Sequence, residues 1–264
     1  MSILSLDQLQ CVYVCTNEKK QRETLDAVKN YPEKKGNAIV GTSGFFVLNL
    51  ASTISEVSHV VLFDLSDRVA QFWHGIKEIL QDPELSLAKA KERIPAFLQA
   101  RGYGHIGALN EEIKNQLSWL SSEDRFEKIH QIFLKNRFSF AKIDMGQPEE
   151  VAALFRKNEE IVPLAVYISN IAECPTGVGS TKERHAAFCE SLKQIPEDAI
   201  VIDSAKEMGY DVRPTQRVHL PGDHGSIFPP LPENERYRET EQRVEPPLLP
   251  PLPQGLPHLF VRIP

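Results

Sequence analysis

Residues 36–52 read GNAIVGTSGFFVLNLAS, and residues 59–68 read HVVLFDLSDR. The first stretch runs a short apolar strand into Gly41-Thr42-Ser43-Gly44 and then directly into an apolar helix. Chain reversal at the carboxyl end of a strand calls for residues without bulky side chains. The helix N-terminus that follows offers N–H groups to a polar ligand. The second stretch is another strand, closed by Asp64 with Leu65 beside it, 23 residues after Gly41. An acidic residue at that place accepts hydrogen bonds from both ribose hydroxyls of a bound nucleoside.

Outward from this unit, five apolar runs predict strands: Asn37–Val40, His59–Phe63, Ser139–Ile143, Leu164–Ser169 and Ala199–Ile202. Such runs suit parallel strands buried on both faces. Ser66 is placed to cap a helix in which Val69, Phe72, Trp73, Ile76, Ile79 and Leu80 recur at helical spacing. Pro148, followed by Glu149 and Glu150, suits the first turn of another helix, ending near Lys157. Strands alternating with helices predict an α/β fold with a doubly wound, mostly parallel sheet.

One stretch breaks the alternation. About 75 residues between the second and third strands hold no strand pattern, and Leu117, Leu120, Phe126, Ile129, Ile132 and Phe133 supply apolar helix faces there. They predict a helical insertion at about 81–137, serving as a pocket wall, a partner surface or added scaffold. The sequence divides into an N-terminal helical segment (1–35), an α/β domain (36–213) and a C-terminal extension (214–264). Twelve of the 19 prolines fall in that extension. It is expected to pack back on the domain, with the closing HLFVRI as a short strand. The alternative use of Pro247-Leu248-Leu249-Pro250 is as a polyproline II ligand.

The strand, short Gly-containing turn, helix and acid-closed second strand together resemble the class I S-adenosylmethionine-dependent methyltransferases. The resemblance implies a methyltransferase-like Rossmann fold over roughly residues 36–203. It also implies S-adenosylmethionine as cofactor, held by Gly41, Thr42, Ser43, Gly44, Asp64 and Leu65. In such enzymes a third strand ends in a residue that contacts the adenine amine, and AKIDMG supplies Asp144 and Met145. A fourth strand ends at the reaction centre, and LAVYISNIAEC places Ser169, Asn170 and Glu173 there. Ser169 falls on the cofactor side. Asn170 is the candidate to orient a substrate amine and Glu173 to help remove a proton. The implied activity is methyl transfer to a small-molecule or protein acceptor. The family's loop usually carries more glycine, often with an acid in the preceding strand, where this chain has Ala38-Ile39-Val40. A catalytically inactive binding or regulatory module with the same fold is therefore the second reading, the insertion and Pro-rich tail being its expected partner surfaces.

Each residue also has a purely structural use. Gly41 and Gly44 suit any tight strand–helix turn, Asp64 can begin a turn, Asp144 can cap the helix at Pro148, and Asn170 can satisfy its own backbone. Their order after successive strands favours the ligand, because ligands sit at the carboxyl ends of parallel strands.

Composition bounds the rest. The chain has 264 residues, 41% hydrophobic and 25% charged, with a net charge of −6. Length and composition suit a soluble globular protein, and the charge argues against general nucleic-acid binding. No run approaches the roughly 18 apolar residues of a membrane span. MSILSLDQLQ lacks the pattern of a secretory signal, and four scattered cysteines give no disulfide framework, so a cytoplasmic location is expected.

Rival motifs fail on spacing. PTGVGSTKER, residues 175–184, displaces the lysine that a P-loop requires. The arginine that a cysteine phosphatase would need after Cys174 is replaced by Ser180. Cys11 and Cys15 have no nearby histidine for zinc, and His219, Asp223 and His224 make only a weak metal pattern. No metal is expected. A dehydrogenase would carry the fuller G-x-G-x-x-G fingerprint.

Overall fold

In the computed structural model the described residues are 18–42, 44–103, 106–156, 160–169, 182–205 and 214–223. Six strands form one sheet: β1 (Ala38–Thr42), β2 (His59–Asp64), β3 (Phe138–Lys142), β4 (Pro163–Ser169), β5 (Ile200–Ala205) and β6 (Thr215–His219). Their order is β3-β2-β1-β4-β5-β6. Neighbours are parallel except β5 and β6, which run antiparallel. The order reverses between β1 and β4, which makes their carboxyl ends the topological switch point of a doubly wound sheet. The predicted α/β architecture is the observed one.

β1 and β4 form because continuous apolar runs bury both faces of their strands, and five residues of β1 are buried in succession. Eight helices accompany the strands among the described residues: α1 (Gln21–Asn30), α2 (Phe45–Thr53), α3 (Asp67–Leu80), α4 (Leu87–Ala100), α5 (Ile106–Lys114), α6 (Glu123–Leu134), α7 (Pro148–Arg156) and α8 (Lys182–Leu192). Ser66 caps α3 as its position predicts, its hydroxyl accepting from the Val69 N–H. α2 is the central helix, buried from Phe45 to Ser52.

The sheet separates two cores. On one face Ile39, Leu62 and Ile202 meet α2, α3 and the inserted helices through Phe72, Trp73, Leu98, Trp119 and Phe133. On the other, Val40, Phe63, Val166 and Val201 meet Val151 of α7 and Phe188 of α8. The insertion, α4 to α6, shares the first core. Phe45 of α2 meets Trp119 edge-on at 5.5 Å. A polar tie adds to this: Asn49 donates to Glu112 of α5 at 2.8 Å and accepts from the Trp119 N–H at 2.7 Å. Burial pushes the Glu112 carboxyl up, against the bonds from Asn49 and Ser118.

β6 was not among the strands expected from the sequence. Its Arg217 donates to both carboxylate oxygens of buried Asp203 directly opposite on β5, and His219 Nε2 lies 3.0 Å from Asp203 Oδ1. Lys19 adds a single parallel bridge to Thr215, with Lys19 N–H donating to the Pro214 carbonyl at 2.9 Å. By its internal contacts the chain divides into residues 1–229 and 230–264. The second unit, with HLFVRI and the Pro247–Pro250 motif, lies outside the described residues. No helix among the described residues is long and apolar enough to cross a membrane.

Candidate functional site

The switch point places the first motif. Gly41 and Thr42 belong to β1 itself, which corrects their assignment to the turn; only Ser43 and Gly44 separate β1 from α2. Gly41 pairs across to Leu62 on one side and Tyr167 on the other. A Cβ there would come within 2.9 Å of the Val47 side chain and 3.0 Å of the Tyr167 carbonyl oxygen. The absence of a side chain at Gly41 thus eases the close approach of β1, β4 and α2. Thr42 is 8% exposed. Gly44 is the cap residue of α2, without a side chain to occupy the first-turn N–H groups. Ser43 lies outside the described residues.

Asp64 ends β2, one strand away from that turn, roughly 5 Å in the sheet direction. Its Oδ1 accepts from the Ser66 N–H at 2.8 Å, so the carboxylate helps set the turn into α3. A carboxylate has about four acceptor sites. Leu65 beside it is 54% exposed.

Asp144 follows β3, one strand further out. Both of its carboxylate oxygens lie 3.1 Å from Arg184 of α8, and Oδ1 also accepts from the Gly146 N–H at 2.8 Å. Its own N–H donates to Glu150 at 2.8 Å. Met145 is 5% exposed and packs in the second core. Asp144 thus links the β3–α7 turn to α8 from a largely buried position.

Ser169 ends β4 with φ 52°, in the left-handed region that non-glycine residues seldom occupy. Its hydroxyl donates to Glu18 at 2.5 Å. Glu18 is 5% exposed and also accepts from Tyr167 Oη at 2.7 Å, Ser204 Oγ at 2.5 Å and Gln216 Nε2 at 2.8 Å. Four donors from β4, β5 and β6 so converge on one carboxylate, which arrives there through the Lys19–Thr215 bridge. Sequence reasoning passed over Glu18, and no local pattern marks it, because its place depends on pairing with a strand almost 200 residues later. Asn170 and Glu173, the candidate catalytic residues, lie outside the described residues.

The topology thus brings Gly44, Asp64, Leu65, Asp144 and Ser169 to one edge of the sheet. Asp64 and Leu65 fit a nucleoside: a carboxylate for vicinal hydroxyls beside an exposed apolar side chain for a base face. His219, weighed as a metal ligand, is instead engaged with Asp203, and no metal-holding cluster occurs among the described residues.

No family model and no curated protein matches the sequence. Among solved structures, the chain is similar to the rRNA methyltransferase aviRa from Streptomyces viridochromogenes, with a TM-score of 0.42 and 10% identity over 79% of this chain and 82% of that one. A second structure of that protein gives 0.39 and 11%, over 73% and 74%. An O-methyltransferase family protein from Burkholderia thailandensis gives 0.34 and 9%, over 72% of this chain and 39% of that one. All three carry the methyltransferase name.

Proposed function

We propose that this chain is an S-adenosylmethionine-dependent methyltransferase acting on a small-molecule or protein acceptor. The observation that carries the reading is the pair Asp64 and Leu65 at the carboxyl end of β2, beside the β1–α2 turn at the switch point of the sheet. Asp64 is assigned the ribose hydroxyls, Leu65 a face of the base and Asp144 the adenine amine. The Ser43–Gly44 turn and Ser169 are assigned the methionine end.

When bound, the cofactor supplies an electrophilic methyl group. Asn170 is assigned the orientation of the acceptor nucleophile and Glu173 the proton that it sheds. Positioning and exclusion of water are the main contributions left to the protein.

Isothermal titration with S-adenosylmethionine and S-adenosylhomocysteine, with NAD as control, tests the reading. Micromolar binding to the first two and none to NAD is expected. Asp64→Ala should weaken binding more than about tenfold, which corresponds to about 1.4 kcal/mol. Unchanged affinity in that variant removes the ribose assignment. A folded protein that binds neither cofactor form leaves the non-catalytic module as the better reading.

A further inference from the structure

At the opposite end of the sheet a concavity of about 290 Å³ opens between α6 and the segments that enter β2 and β3. Lys128 and Gln131 line it from α6, Lys135 from the residue that closes that helix, Ser58 from the residue before β2, and Arg137 from the residue before β3. Val57 and Ile132 form its apolar wall. Three cations, an amide and a hydroxyl thus face one small space, and no carboxylate lines it among the described residues.

Elsewhere on this acidic chain Lys34, Lys35, Arg93, Lys142, Arg184 and Arg217 have a carboxylate partner, while Arg68, Lys77, Arg125 and Arg156 bond to amide or carbonyl oxygens. Neither Lys135 nor Arg137 makes an ion pair among the described residues. Lys128 is half-buried, and its ammonium donates to the Ile54 carbonyl. Glu56, an acid that acts on it, is itself bonded to Ser55 and lies 3.7 Å from Lys34. Glu127, next to Lys128 in sequence, accepts from Gln131 Nε2 at 2.9 Å. Like charges held together around a concavity repel one another until an anion joins them.

We propose that this pocket at the amino end of the sheet binds a small phosphate-bearing anion, independently of the methyl-transfer site. Arg137 offers a planar fork suited to two phosphate oxygens, while Lys135 and Lys128 act as point charges and Ser58 adds a hydroxyl. Burial holds the Lys128 pKa down at about 8, and a bound anion would offset that cost. The concavity is small and lined by one helix and two short segments, which suits a metabolite-sized ligand better than a nucleic-acid strand, as does the net charge of −6.

The test is calorimetric titration of the full chain with pyrophosphate and with inorganic phosphate at low ionic strength. Saturable binding is expected, tighter for pyrophosphate. Arg137→Ala should weaken it about tenfold and Lys135→Ala several-fold, both leaving S-adenosylmethionine affinity unchanged. Lys128→Met should lose affinity while melting no lower than wild type, which separates loss of the site from loss of the fold. No saturable pyrophosphate binding, or an unchanged affinity in Arg137→Ala, overturns the proposal. So does a single-stranded oligonucleotide that binds through these residues when pyrophosphate does not.

Discussion

At the carboxyl ends of the strands, Glu18, Asp64 and Asp144 meet donors from the protein itself; at the amino ends, Lys135 and Arg137 meet none of its carboxylates. The two ends also differ in how they are assembled. Glu18 is bonded to residues 149 to 198 positions away, so its surroundings exist only when β4, β5 and β6 are all in place. The cations of the other end sit on one helix and the short segments beside it. Charge satisfied by long-range bonds fixes geometry. Charge carried on exposed local structure costs less to build and stays open to an anion from outside.

The contrast breaks most visibly at Glu18. Glu18→Ala leaves Tyr167, Ser169, Ser204 and Gln216 without their shared acceptor in a buried space. A loss of about 3–5 kcal/mol is expected, read as a fall in the urea midpoint. Glu18→Gln preserves volume, and the three hydroxyls can rotate to accept from its amide, so it should lose less than half as much. Equal losses in the two variants would mean that the charge, not the packing, holds the edge together.

A smaller effect is expected from Gly41→Ala, which tests the same edge through packing alone. The added methyl meets a backbone oxygen at 3.0 Å on one side and the Val47 side chain at 2.9 Å on the other. Val47 can turn, but the Tyr167 carbonyl moves only with β4. About 1–3 kcal/mol of destabilisation follows, measured by thermal melting. Because β1 carries the Ser43–Gly44 turn, weaker S-adenosylmethionine binding should accompany it. An unchanged melting temperature would show that β1 and β4 separate without cost.

The two ends were unequally legible in the sequence. Five strands were readable, within three residues at their ends, because runs such as NAIV and HVVLF are buried on both faces and have no alternation to misread. Asp64 and Asp144 were placed at the ends of the second and third strands for the same reason. Gly41 was set in the turn because a small residue suits either a bend or a close approach, and only the neighbouring Tyr167 and Val47 decide between them. β6 escaped because TQRVH is polar: its Arg217 and His219 are accommodated by Asp203, a partner that composition cannot reveal. The inserted helices were legible from their apolar faces, but their union with the first core was not, since that depends on Phe45 and Asn49 of α2. The amino-end pocket was invisible because Ser58, Lys128 and Arg137 converge only in space.

The smallest expected effect sharpens the contrast from the amino end. Lys128 has its pKa lowered from 10.5 to about 8, burial being the main cause and Glu56 opposing it. A basic group whose folded pKa lies below its unfolded one costs stability wherever it stays charged in both states. That cost is full below about pH 8 and is relieved as pH rises from 8 towards 10.5, because the folded protein then releases a proton that the unfolded chain keeps. Lys128→Met should therefore melt about 3 °C higher than wild type at pH 7, about 1 kcal/mol once solvation of the half-exposed ammonium is discounted. The advantage should shrink on moving to pH 10. The lost bond to the Ile54 carbonyl is covered, because the Val57 N–H also donates to that oxygen at 3.2 Å. With pyrophosphate present, the order should reverse at pH 7, since the anion stabilises only the chain that binds it. A variant that melts below wild type without any anion would mean that the ammonium is already satisfied by the protein, as the acids are at the other end.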